Sequence, residues 1–142
     1  MPLLRMYALT TIILGFKMFA NSLVQGKGRV STSIFTNPED AKLFGGKLEA
    51  QEAPSVQRAA SVWRNDLENI PFFLIVAGIY VMATGLSAEA FEIYCVIFVV
   101  CRILHTIFYL NAVQPWRTVA FTIGTGAMFA MMIHLLIEVV FV

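Results

Sequence analysis

Apolar residues dominate four stretches of this chain, and short polar stretches divide them. A membrane-spanning helix needs about 20 mainly apolar residues. Residues 3–25 supply one, interrupted by Lys17. Residues 26–54 are polar and punctuated by Gly26, Gly28, Asn37-Pro38, Gly45-Gly46 and Pro54, which reads as a loop outside the membrane. A second helix is expected over 55–84, with polar first turns (Gln57, Arg58, Arg64) and an apolar second half (Phe72 to Met82). Pro71 inside it is expected to kink it. Gly85 and Ser87 mark a tight turn. Helices over 88–111 and 115–142 complete the chain, with Pro115 suited to the first position of the last one. The pattern predicts an all-α fold: an integral membrane four-helix bundle, one domain over 1–142, with no internal repeat.

Composition sharpens this reading. Of 142 residues, 58% are hydrophobic and 13% charged, where soluble domains carry about 25% charged residues. The net charge of +1 leaves no basic surplus for nucleic acid. Cys95 and Cys101 stand six residues apart in an apolar run and point in different directions on a helix. They read as packing thiols, and no metal site is expected. The first span lacks a small-residue cleavage site after Lys17, so a retained span is expected rather than a removed leader. Lys27, Arg29, Lys42 and Lys47 fall in the long loop, and the turn after the second helix has no Lys or Arg. The positive-inside rule therefore puts that loop in the cytoplasm.

Ionisable groups inside membrane helices are functional-site candidates by default. Arg64, Asn65 and Glu68 lie within roughly 100° of one another on the second helix. Arg102, His105 and Tyr109 form a narrower stripe on the third. Arg117, Thr118 and Phe121 share a face on the fourth. With alternating helix directions, all three clusters meet at one depth. Each has an ordinary structural reading: an Arg64–Glu68 pair at i,i+4, an Arg102 that snorkels or bonds a carbonyl, a packing histidine. Together, three arginines against one glutamate leave positive charge unpaired, which is costly in lipid. An anionic ligand would complete the site. Arginine forks match carboxylates, and Asn65 and Glu68 suit an amide or ammonium. Glutathione meets that description; a phosphate or lipid headgroup meets it equally well on these residues alone. A small transporter with Arg102 and His105 as a relay also stays open at this point.

The run Trp63-Arg64-Asn65-Asp66-Leu67-Glu68-Asn69-Ile70-Pro71-Phe72 closely resembles the second-helix motif of the MAPEG family, the membrane-associated proteins in eicosanoid and glutathione metabolism. Asn37-Pro38-Glu39-Asp40, Arg102-Ile103-Leu104-His105-Thr106 with Tyr109-Leu110, and Pro115-Trp116-Arg117 look like the same family in order and spacing. The resemblance implies a homotrimer with glutathione sites between neighbouring subunits, open to the cytoplasm. It implies glutathione as co-substrate, no metal, and a multi-pass protein of the endoplasmic reticulum if eukaryotic or the inner membrane if bacterial.

By position, the resemblance assigns Arg29, Arg64, Asn65, Glu68, Arg102, His105, Tyr109 and Arg117 to glutathione binding. Arg117 and Thr118 would act on the thiolate, with Asp40 assisting. Phe121, Ile123 and Met128 would line the entrance for a lipophilic substrate. The implied activity is a glutathione transferase and peroxidase acting on lipophilic electrophiles or lipid hydroperoxides. A glutathione-dependent prostaglandin E synthase is the alternative, and a non-catalytic lipid-binding scaffold is the reading of another class. Phe121 stands where the synthase branch has tyrosine, Trp63 where histidine is usual, and Ser61 where the synthase has arginine. Against this, Thr118 keeps a hydroxyl where the synthase has serine, and the balance favours a general transferase.

Overall fold

A computed structural model describes residues 2–83 and 86–141. Its elements run α1 (Pro2–Thr32), β1 (Ile34–Phe35), α2 (Pro38–Phe44), β2 (Lys47–Leu48), α3 (Pro54–Met82), α4 (Ala88–Leu110) and α5 (Trp116–Phe141). α1 packs on α3 and α4, and α4 packs on α5. Three of these helices, α1, α4 and α5, are long and apolar enough to cross a membrane. α3 has the length, at 29 residues, but Arg58, Arg64, Asp66 and Glu68 make its first half polar. The expectation of four equivalent spans is narrowed accordingly.

The expected loop over 26–54 is more ordered than its composition suggested. α1 continues through Gly26 and Gly28 to Thr32. Gly28 is tolerated because a Cβ there would sit 3.0 Å from Val56 Cγ2, so its small size lets α1 approach α3. Beyond it, Pro38 opens α2, with Glu39 and Asp40 in the first turn where the helix dipole favours acids. Gly45 ends α2 at φ 67°, the left-handed position that suits glycine. β1 and β2 then pair in parallel, Ile34 with Lys47 and Phe35 with Leu48. Replacing Gly46 with alanine is expected to open this unit, because the new Cβ would lie 2.3 Å from Phe35 Cε2 and 2.6 Å from Ser33 O. Ser33 O accepts the Lys47 N–H that starts the pairing. Faster limited proteolysis within 33–49 would register the loss.

Ser87 caps α4 by accepting the Ala90 N–H at 3.2 Å. Gly85, expected in the preceding turn, lies outside the described residues, as do the helix positions expected at 84 and 142. Pro71 sits within α3 without ending it. Pro115 falls one residue before α5, not at its first position, and its carbonyl accepts the Val119 N–H.

The core joins Leu14 of α1, Phe73, Ala77 and Tyr80 of α3, Phe91, Cys95 and Phe98 of α4, and Met128 and Met131 of α5. Phe73 and Phe98 stack with ring centroids 3.8 Å apart. Gly124 lets α5 close on α4, since a Cβ there would meet Cys101 Cβ at 3.0 Å. Outside the core, Leu9, Phe16, Ile79, Val100, Ile133 and Val140 are exposed. Helices apolar on nearly every side suit lipid or neighbouring subunits, not water. Both cysteines are buried free thiols.

Candidate functional site

Polar groups collect at the end of the helix assembly where α3 begins and α4 meets α5. The innermost set is buried. Lys17 Nζ of α1 is paired with both oxygens of Asp66 on α3. Arg102 Nη2 of α4 donates to Asp66 Oδ1 at 3.1 Å and to Asn65 Oδ1. Asp66 is 0% exposed and Arg102 2%. Asn21 Nδ2 stands 3.5 Å from Asp66 Oδ2. This corrects the charge count made from sequence. Arg102 is not surplus positive charge awaiting a ligand; Asp66 serves it and Lys17 together. The remaining net positive charge of the set comes from two cations sharing one carboxylate. Part of the signal was present in the sequence: Lys17 interrupts the apolar first helix, and Asp66, of opposite sign, stands in the polar first half of α3.

The second set lies between α4 and α5. His105 Nδ1 faces Arg117 O at 3.1 Å. A carbonyl only accepts, so Nδ1 carries the hydrogen and donates. The His105 ring sits 5.6 Å from Tyr109 and 5.8 Å from Phe121. Arg117 lays its guanidinium over the Tyr109 ring, 4.6 Å from the centroid, a cation–π contact. Gln114, which the sequence did not single out, joins two expected site residues. Guanidinium N–H groups require the amide oxygen to face them, so Gln114 Oε1 accepts from Arg117 Nε at 3.0 Å while Nε2 donates to Thr118 Oγ1 at 3.1 Å. The Thr118 hydroxyl hydrogen is thereby left to donate elsewhere. Arg58 Nη1, another group not singled out, reaches Tyr109 O at 3.5 Å.

The third set is more open. Arg64 and Glu68 are exposed on α3, and Asn65 between them is half-buried. No ion pair joins Arg64 to Glu68 among the described residues, so their i,i+4 spacing does not produce the self-neutralised pair. Arg64 borders an open cleft of about 400 Å³ with Thr36, Gln51, Glu52, Gln57 and Ser61. Arg29 Nε is held by Glu52 Oε1 at 2.6 Å. Asp40 accepts from Asn37 Nδ2 at 3.1 Å in the loop.

The expected entrance residues divide. Phe121 is half-buried beside His105, and Ile123 is exposed. Met128 is 6% exposed and belongs to the core, so it does not line an open entrance. It was expected at the entrance for a lipophilic substrate, but it packs instead with the side chains of α1, α3 and α4 in the core.

Chemically, Arg117 is the distinctive group. Its backbone, ring face and amide partners fix it, yet among the described residues no carboxylate pairs with it. Such a guanidinium stabilises an anion placed beside it.

The chain is similar to known proteins along most of its length. It matches the MAPEG family across residues 7–137. It is 30% identical over 138 residues to prostaglandin E synthase of Homo sapiens, spanning 96% of this chain and 90% of the relative. It is 37% identical over 131 residues to microsomal glutathione S-transferase 1 of Rattus norvegicus, spanning 89% and 83% respectively. Rattus norvegicus prostaglandin E synthase is 31% identical over 134 residues. By its match along nearly all of its length, this protein belongs to the MAPEG family of membrane proteins.

Proposed function

We propose that this protein is a membrane-bound glutathione transferase and peroxidase, which activates the glutathione thiolate for attack on lipophilic electrophiles or lipid hydroperoxides. The observation that carries the reading is Arg117, a fixed guanidinium without a carboxylate partner among the described residues. The transferase named among its relatives supports it.

In this reading the subunits form a homotrimer, and each glutathione lies between neighbours on the cytoplasmic side. Within one subunit, no hydrogen bond links Arg64 or Glu68 to Tyr109, Arg117 or Thr118 among the described residues. A second copy supplies the missing half: one subunit's α3 face opposes its neighbour's α4–α5 face. Arg64, His105 and Tyr109 hold the peptide, with Arg29 released from Glu52 to take a carboxylate. Glu68 takes the ammonium. Asp40 enters from the loop as an auxiliary group.

Arg117 holds the sulfur as thiolate, the Thr118 hydroxyl donates a hydrogen bond to it, and the thiol proton leaves to water. With an aryl halide, sulfur forms a bond to carbon and halide departs with the electron pair. With a hydroperoxide, sulfur attacks oxygen, the O–O bond breaks and the alcohol leaves after protonation. A second glutathione then converts the sulfenic acid to disulfide and water. Phe121 and Ile123 line the approach from lipid.

Prostaglandin E synthase activity is the second reading, favoured by the relatives of that name. Purified protein in detergent decides between them: glutathione-dependent turnover of a chlorinated nitrobenzene and a lipid hydroperoxide is expected to exceed that of a prostaglandin endoperoxide. Turnover of none would leave the lipid-binding scaffold. Glu68→Ala is expected to weaken glutathione binding by about tenfold, the loss of one charge-assisted hydrogen bond. Affinity equal to wild type would give Glu68 a structural role only.

A further inference from the structure

Asp66 is wholly buried, so no ligand reaches it, yet it lies next in sequence to a residue of the proposed glutathione site. Its carboxylate draws Lys17 from α1 and Arg102 from α4 onto α3. Arg102 uses the same Nη2 to donate to Asn65 Oδ1. A guanidinium has no acceptor, so it must meet the amide oxygen of Asn65 and not its nitrogen. The orientation of an asparagine amide is ordinarily free to reverse; here a buried ion pair sets it. Asn65 Nδ2 donates to no group among the described residues. Asn65 is half-buried, between exposed Arg64 and Glu68 on the same helix.

We propose that Asp66 is the positioning residue of this site: through Arg102 it occupies the Asn65 oxygen, so that Asn65 offers a ligand only its amide hydrogens. The inference rests on the functional reading above and deepens it. With its oxygen taken, Asn65 recognises an acceptor, a carboxylate or amide carbonyl oxygen of glutathione. It does not take the ammonium, which falls to Glu68. Losing the Asp66 charge would leave Arg102 beside Lys17 with no carboxylate between them, and the repulsion would release the Asn65 amide.

The experiment is calorimetric titration of glutathione into the intact assembled protein in detergent, for wild type, Asn65→Asp, Asn65→Ala, Asp66→Asn and the double variant Asn65→Ala/Asp66→Asn. Asn65→Asp keeps an oxygen for Arg102 and removes the amide hydrogens, without touching the buried carboxylate. It is expected to weaken binding about tenfold or more, as the loss of a hydrogen bond to a charged group does. Asp66→Asn is expected to weaken binding comparably and to add nothing in the Asn65→Ala background, because it acts through Asn65. Should Asp66→Asn fail to assemble, Asn65→Asp decides alone. Undiminished uptake by Asn65→Asp, or additive losses in the double variant, would overturn this inference while leaving the functional reading intact. No uptake by wild type would overturn both.

Discussion

Replacing Arg117 with alanine is expected to leave the protein assembled and to abolish the ultraviolet absorbance of bound thiolate at neutral pH. A free thiol has a pKa of about 8.5. Lowering it by about two units takes about 2.7 kcal/mol of preference for the charged form. One guanidinium about 4 Å from the sulfur supplies about 4 kcal/mol at an effective dielectric of about 20. The thiolate fraction at neutral pH then rises from about 3% to about three-quarters, so the alanine variant should lose about 25-fold in turnover at saturating glutathione. The loss should shrink as pH rises, because an unassisted thiol ionises by itself in alkaline solution. Arg117 packs on Tyr109 and Gln114 at the start of α5, outside the aromatic core, so truncation is expected to leave the fold intact. A pH-independent loss would give Arg117 a role in peptide binding instead.

Asp66→Ala is expected to be the most destabilising single change in the chain, at about 3–5 kcal/mol, the cost of leaving buried charge without its partner. Both Lys17 and Arg102 depend on this carboxylate. Lys17→Met makes the informative contrast. It removes one of the two cations and leaves Arg102 paired with Asp66, so its cost should stay within about 1 kcal/mol, as apolar replacement of a buried charge often does. Denaturant-induced unfolding of both variants in the same detergent measures the difference. Equal destabilisation would mean that the Lys17 contact, not the carboxylate itself, holds α1 to α3.

The long helices were legible because their apolar runs persist well beyond what a soluble helix needs. What lay between α1 and α3 was not. Gly26 and Gly28 read as loop residues, but α1 runs through both, and the reason at Gly28 is a close approach of α3 that appears only after folding. The two-residue strand pair is too short to leave a periodic signature.

The site was legible in part. Spacing put His105 and Tyr109 on one helix and Arg117 on the next, and the structure packs the three side by side. It counted Arg102 as unpaired because charge was summed over the chosen clusters, whereas its partner Asp66 stands one residue beside a chosen residue and one helix away. Met128 shares a helix with Phe121 but belongs to the core, a distinction that depends on how the helices pack. Gln114 carried no signal, since one amide in a turn is commonplace and only its contact with both Arg117 and Thr118 makes it notable.

A structure of the assembled protein with glutathione bound tests the central claim most directly, by the position of a single atom. The sulfur is expected within hydrogen-bonding distance of the Arg117 guanidinium and the Thr118 hydroxyl. A sulfur beside Arg64 or open to water, with Arg117 holding a carboxylate, would contradict the account.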